Sequence, residues 1–201
     1  MELLKPSDLM NIIDYEKVRE KYRKDIIDYK KERRLSLGPN ITITFENRKT
    51  MKFQIQEMMR AERMVHDRQI KEELDIYNSL LPEKNGLSAT LFIEVTKETQ
   101  IHSVLNKFIG LTVGNNLYFQ IVEQKVFARF EEGREEAGKI SSVHYLQFDL
   151  DEKNITDFLN DGIAVAITID YNDYQSSEIL TKTMRSSLIE DLTLDFLFFK
   201  P

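Results

Sequence analysis

The side chains best suited to act on a ligand crowd into one stretch: Arg34, Asn40, Glu46, Asn47, Arg48, Gln54, Gln56, Glu57, Arg60 and Glu62. Guanidinium groups bind carboxylates and phosphates through paired N–H donors, and carboxylates accept from donors or hold a proton. Such a cluster is material for the polar groove of an enzyme or of a small-molecule-binding protein, centred on Arg60, Glu62 and His144. Residues from about Thr50 to about Asp67 read as a helix whose buried face is Met51, Ile55, Met58, Met59 and Val65. Glu62 and Gln54 fall on or beside that apolar stripe, and a carboxylate there needs a partner such as Arg34, Arg48 or Arg60, because burying it unpaired is costly. Two further residues on predicted strands, Glu94 and His144, complete the candidate binding groove of Arg34, Asn40, Glu46, Asn47, Arg48, Gln54, Glu57, Arg60, Glu62, Glu94 and His144. The same polar density reads equally as a structural network that locks a helix to a sheet.

Other chemistries find less support. Glu62 and His66 stand four apart, one turn of a helix, but two ligands do not make a metal site, and the doubled Glu-x-x-His pattern of di-iron bundles is absent. No metal or cofactor is therefore expected. There is no Gly-x-Ser-x-Gly elbow, no Gly-x-x-x-x-Gly-Lys and no Gly-x-Gly-x-x-Gly. The adjacent carboxylates Glu72–Glu73, Glu131–Glu132 and Glu135–Glu136 diverge on either a helix or a strand, so none forms an acid–base pair. With no cysteine and only three histidines, the chain offers no disulfide, thiolate nucleophile, iron–sulfur cluster or histidine-rich metal site.

The elements that must position these residues follow from periodicity. Ser7 caps a short helix and Asp14 a long one, along which Tyr15, Val18, Tyr22, Ile26 and Tyr29 recur at spacings of three and four. The basic residues of its other faces, Arg19, Arg33 and Arg34 among them, alternate with acids and read as a solvated surface. Gly38 and Pro39 end that helix. Ile41–Phe45 is a strand, and a helix from about Ile70 to Leu80 follows the central one. Beyond residue 86 strands dominate: 89–95, a hairpin of 116–122 with 125–131, 143–150, a β-branched and central 163–170, and an edge at 176–180. Helices are expected at 99–109, 154–160 and 183–192. The fold class is α+β, with N-terminal helices packed on a mostly antiparallel sheet of about five to seven strands. One domain spans 1–201, helical to about 82 and sheet-rich from about 86. The tail Leu194–Phe199 is too apolar for water, and reads as a final strand or as a homo-oligomer contact through Phe196–Phe199.

Composition narrows the setting. A chain with 41% hydrophobic and 31% charged residues is globular. No stretch is long and apolar enough for a membrane span, and the start, Met1–Pro6, lacks the basic-then-apolar pattern of a secretory signal, so a cytoplasmic location is expected. Residues 1–130 carry 22 basic and 19 acidic side chains, whereas residues 131–201 carry 6 and 15. An acidic C-terminal third argues against nucleic-acid binding.

The blocks Glu32–Asn40, Phe45–Arg48 and Phe53–Glu62, followed by Ile70–Asn78, Ser88–Glu94 and Lys139–Phe148, resemble a bacterial family catalogued only as a domain of unknown function. The resemblance runs from about residue 5 to 192. Members of that family are often encoded beside a rubrerythrin-like di-iron protein and a cysteine-rich iron–sulfur oxidoreductase. What the resemblance implies is an accessory role in a redox or peroxide-response system, with one of those proteins as partner.

Overall fold

In the computed structural model, residues 2–82, 85–133, 135, 136 and 138–198 are described. Helix α1 (Ile12–Lys31) begins at Asn11, whose side chain accepts from the Asp14 amide and so caps the helix in place of Asp14. Strand β1 (Arg34–Leu37) and β2 (Ile41–Glu46) form a hairpin. Gly38 turns it at φ 71°, a conformation glycine adopts without strain, so this glycine serves a strand turn and not a helix end. Two helices follow, α2 (Arg48–Ala61) and α3 (Asp67–Ser79), and then β3 (Gly86–Ile93).

The remaining elements are α4 (Ile101–Leu105), β4 (Leu117–Ile121), β5 (Gln124–Phe130), β6 (Glu135–Glu136), β7 (Lys139–Ile140), β8 (Val143–Asp149), α5 (Glu152–Leu159), β9 (Val165–Tyr171), β10 (Tyr174–Ile179) and α6 (Lys182–Phe198). Eight strands form one antiparallel sheet in the order β1-β2-β3-β8-β5-β4-β9-β10, more than the five to seven expected. The additional member is β1, whose Leu35 and Leu37 alternate over too few residues to announce a strand. β6 and β7 pair separately. The helix expected at 99–109 is α4 flanked by two 3-10 turns, which let Phe108 tuck under Tyr174 with ring centroids 5.0 Å apart.

The sheet curls until its two edges approach, giving a nearly barrel-shaped body. Alternation puts Ile41, Ile43 and Phe45 of β2, Phe119 of β4, Phe148 of β8 and Ile167 of β9 on the concave side, all buried. Phe158 of α5 and Met184, Leu188 and Leu192 of α6 fill the same interior. Phe119 anchors it, 4.4 Å from the Phe148 ring and edge-on to Phe158. The convex side of β2, β3 and β8 is covered by α2 and α3, which bring their own cluster of Met51, Ile55, Met59, Leu74 and Leu81. That cover explains why Thr42, Thr44, Glu46, Ser88 and Thr90 are buried although they face away from the main core. α6 continues through Phe198, so the apolar tail is helical to that point and not a strand; Phe199 lies outside the described residues.

Candidate functional site

The eleven candidate residues occupy five places. Arg34 pairs with Glu94, and Asn40 donates from Nδ2 to the Glu94 carbonyl at 3.1 Å, so these three share one exposed end of the sheet. Glu46 is buried on the convex side, where its Oε1 accepts from Lys30 Nζ at 2.9 Å and Thr90 Oγ1 at 3.2 Å. Asn47 caps α2, accepting from the Lys49 and Thr50 amides. Arg48 pairs with Asp8 at 2.6 Å. Glu57 and Arg60 project from α2 toward α1, Gln54 is half-buried on the same helix, and Glu62 is its exposed C-cap. His144, opposite Leu91 in register, faces the sheet interior with Nε2 2.7 Å from the Ser141 carbonyl. Arg60, Glu62 and His144 therefore do not line a common groove. α2 also stops at Ala61, which removes the one-turn relation between Glu62 and His66; among the described residues no group of three or more metal-ligating side chains gathers.

Most of the polar density holds elements together. Glu57 takes a bidentate fork from Arg19, both contacts 2.8 Å, and a third hydrogen bond from Tyr15 Oη at 2.7 Å. The Arg19 guanidinium, with the Tyr15 hydroxyl, holds the Glu57 carboxyl below its usual range against the effect of burial. Burial and the neighbouring Glu57 push the Tyr15 hydroxyl up. One turn further on, Arg60 Nε donates to Glu16 at 2.7 Å. These contacts zip α1 to α2.

A second network centres on Arg33. Arg33, expected on a solvated face, is 0% exposed. Its Nε donates to the Phe45 carbonyl at 3.0 Å, Nη1 to Ser187 Oγ at 2.8 Å and to Tyr29 Oη at 3.2 Å, and Nη2 to the Asp191 carboxylate. Asn47 Nδ2 donates to the other Asp191 oxygen at 2.8 Å. Four elements, α1, β2, α2 and the distant α6, meet at this one ion pair. Burial pushes the Asp191 carboxyl up, opposed by Arg33 and Asn47. The one signal is position: Arg33 stands just ahead of β1, two residues before Leu35 and four before Leu37, in phase with the inward face of that strand.

A cleft stays open where the start of α1 meets the end of α2. Ile12, Ile13, Ala61 and Val65 supply its apolar surface, and Arg60 and Arg63 its basic rim. Ile13 is 74% exposed and Val65 67%, so Val65 does not belong to the buried stripe expected of it. Arg63 has φ 53°. It sits at the left-handed position just past the helix, where the Met64 amide reaches back to the Met59 carbonyl at 2.9 Å and the Arg63 amide to that of Arg60 at 3.4 Å. This is the six-to-one closure usually given to glycine. The Arg63 guanidinium has no hydrogen-bond or ion-pair partner among the described residues. No helix of the described residues is long and apolar enough to cross a membrane.

Comparison with known proteins places the chain. No curated protein matches it. A solved structure, described as a novel protein of unknown function from Burkholderia pseudomallei K96243, is similar with a TM-score of 0.87 and 30% sequence identity, covering 95% of this chain and 100% of that one. Residues 3–192 match the family described as "Protein of unknown function (DUF3501)". With nearly the whole chain matched and the same fold in a relative of 30% identity, the chain belongs to that family.

Proposed function

We propose that this chain is a non-catalytic accessory protein of a rubrerythrin-like and iron–sulfur redox pair, and that it docks its partner at the cleft between α1 and α2. The observation that carries the docking reading is Arg63. A left-handed non-glycine residue is strained by about 1–2 kcal/mol, and this one places an unpaired guanidinium beside the exposed Ile13 and Val65. Strain at a site where glycine would serve better points to a use for the side chain. An apolar patch with an unpaired cation beside it fits a partner surface that offers an apolar residue flanked by a carboxylate.

The choice of partner rests on the family resemblance and on composition. A chain without cysteine holds no iron–sulfur cluster of its own, so its part in such a system is to bind, assemble or dock the protein that does. The test is binding of purified rubrerythrin-like protein and of the iron–sulfur oxidoreductase, each under anaerobic conditions, to the wild type and to Val65→Asp and Arg63→Glu. Binding to one of them that both substitutions weaken supports the reading. No binding to either, or a deletion strain with unchanged peroxide tolerance and partner activity, overturns it.

A further inference from the structure

The curled sheet ends in two edges, β1 and β10, that approach without pairing. Tyr174 fastens one end of the seam between them. Its hydroxyl donates to the Leu37 carbonyl at 2.5 Å and accepts from the Asn40 and Ile41 amides at 3.0 and 3.2 Å. Gly38 is required there for a second reason: a Cβ at that position would meet Tyr174 Oη at 2.8 Å. Away from Tyr174 the edges part into a cleft that holds Leu35 and Ser36 on one side, Glu178 and Ile179 on the other, and Met184 of α6.

Register shows which main-chain groups face this gap. The Leu180 amide donates to the Val165 carbonyl, and Glu178 lies opposite Ile167 and Ser176 opposite Ile169. In an antiparallel ladder, alternate residues direct N–H and C=O to the neighbour. Glu178 and Ser176 therefore bond β9, and Gln175, Ser177 and Ile179 turn their N–H and C=O groups into the seam. On the other edge, the Phe45 amide donates to the Arg33 carbonyl, which leaves Arg34 and Ser36 facing outward. Ile179 is 68% exposed beside the half-buried Leu35. Glu32 and Glu178, both lining the cleft, have no hydrogen-bond or ion-pair partner among the described residues.

A row of free main-chain donors and acceptors beside an apolar floor is the recognition surface for an added strand. We propose that the seam receives an extended segment of a partner protein, which pairs with the free edge of β10, sets an apolar side chain on Leu35, Ile179 and Met184, and places a lysine or arginine between Glu32 and Glu178. The cation is the element of charge complementarity: the two carboxylates in this cleft are unpaired, whereas its Lys31 is held by Asp28 and its Arg34 by Glu94. This surface is separate from the cleft between α1 and α2, and its occupation does not depend on the redox reading.

The experiment uses the full chain and a displayed library of short linear peptides. The expected result is enrichment of peptides that alternate apolar and polar residues and carry a lysine or arginine. Ser177→Pro removes one seam-facing donor while sparing the β9 ladder, as proline is tolerated on an outward edge, and it should weaken the enriched peptides at least about tenfold. Glu178→Lys, at an exposed side chain, should weaken the basic peptides and not neutral ones of the same alternation; it carries the test if Ser177→Pro fails to fold. The proposal is overturned if no peptide is enriched over a control protein, or if the enriched peptides bind both variants as they bind the wild type. It is also overturned if sedimentation shows a dimer of the wild type that Ser177→Pro dissociates, since the seam then belongs to a second copy of this chain.

Discussion

Arg33 and Arg63 are the same residue type in two regions of opposite design. Arg33 is wrapped by the ends of α1 and β2, the start of α2 and the body of α6, and its donors meet Phe45, Tyr29, Ser187 and Asp191. Arg63 stands on the rim of an open cleft with no partner among the described residues, held in a backbone conformation that costs stability. Polar density by itself does not locate a site in this protein. The buried region has more hydrogen bonds and serves cohesion; the exposed one has fewer and leaves its charge available.

The sharpest way to break this contrast is to remove Arg33. Arg33→Ala leaves Asp191 buried without its ion partner, which should cost about 3–5 kcal/mol, read as a shift in the urea midpoint. Arg33→Met combined with Asp191→Leu removes both charges and should restore part of the loss, because no unpaired charge stays buried; the Phe45 carbonyl, Ser187 and Asn47 still each lose a partner. The Arg33→Ala penalty should also shrink as pH falls through the carboxylate range, where Asp191, already pushed up by burial, takes a proton and needs no cation. A penalty constant in pH, or close to that of an ordinary surface substitution, would move Arg33 to the other side of the comparison.

Next in size is the seam. Tyr174→Phe deletes one donated and two accepted hydrogen bonds and leaves the Asn40 and Ile41 amides without that partner. The expected loss is about 1–3 kcal/mol, with faster amide exchange confined to residues 37–41 and to β10. Uniformly faster exchange across the sheet would mean that Tyr174 supports the whole curl and not one fastening.

Between the two regions lies Glu57, half a surface residue and half a strut. Its folded-state pKa is depressed by Arg19, so its stabilising contribution is present above the unfolded carboxylate value and is lost as pH falls through the lower folded value. The stability difference between wild type and Glu57→Gln should therefore be largest near neutral pH and vanish in acid. A difference that grows in acid would contradict the Arg19 fork.

Much of the fold was legible in the residues. The stripe Tyr15, Tyr22 and Ile26, the β-branched run of 163–170 and the hairpin around Glu123 each declare themselves by period, and each lies within an element or turn close to where it was expected. The four residues of β1 did not, because so short an alternation resembles a loop. The polar cluster misled for a different reason. On a sequence, Arg60 and Arg33 look alike; one meets Glu16 across two neighbouring helices, and the other meets Asp191 from the far end of the chain. Periodicity gives faces within an element, and only the tertiary arrangement says which faces close on each other. Val65 shows the same limit: it follows the apolar stripe by spacing, but the helix has ended four residues earlier and the side chain is left in solvent.

The smallest expected effect has the opposite sign from all the others. Arg63→Gly should raise stability, by roughly 1 kcal/mol, because glycine takes the left-handed position without the Cβ clash and the six-to-one closure of α2 remains. Part of that gain is offset by the greater freedom glycine has in the unfolded chain. The same substitution removes the unpaired guanidinium from the cleft, so partner binding should weaken while the thermal midpoint rises. Arg63→Lys separates the two contributions: it keeps the charge and the strain, so stability should stay at the wild-type level and binding should fall less than in the glycine variant. If Arg63→Gly is destabilising, the side chain holds the helix end together and the cleft joins the structural networks. If it is stabilising with binding intact, the strain has no use at this cleft, and the seam between β1 and β10 becomes the surface to pursue.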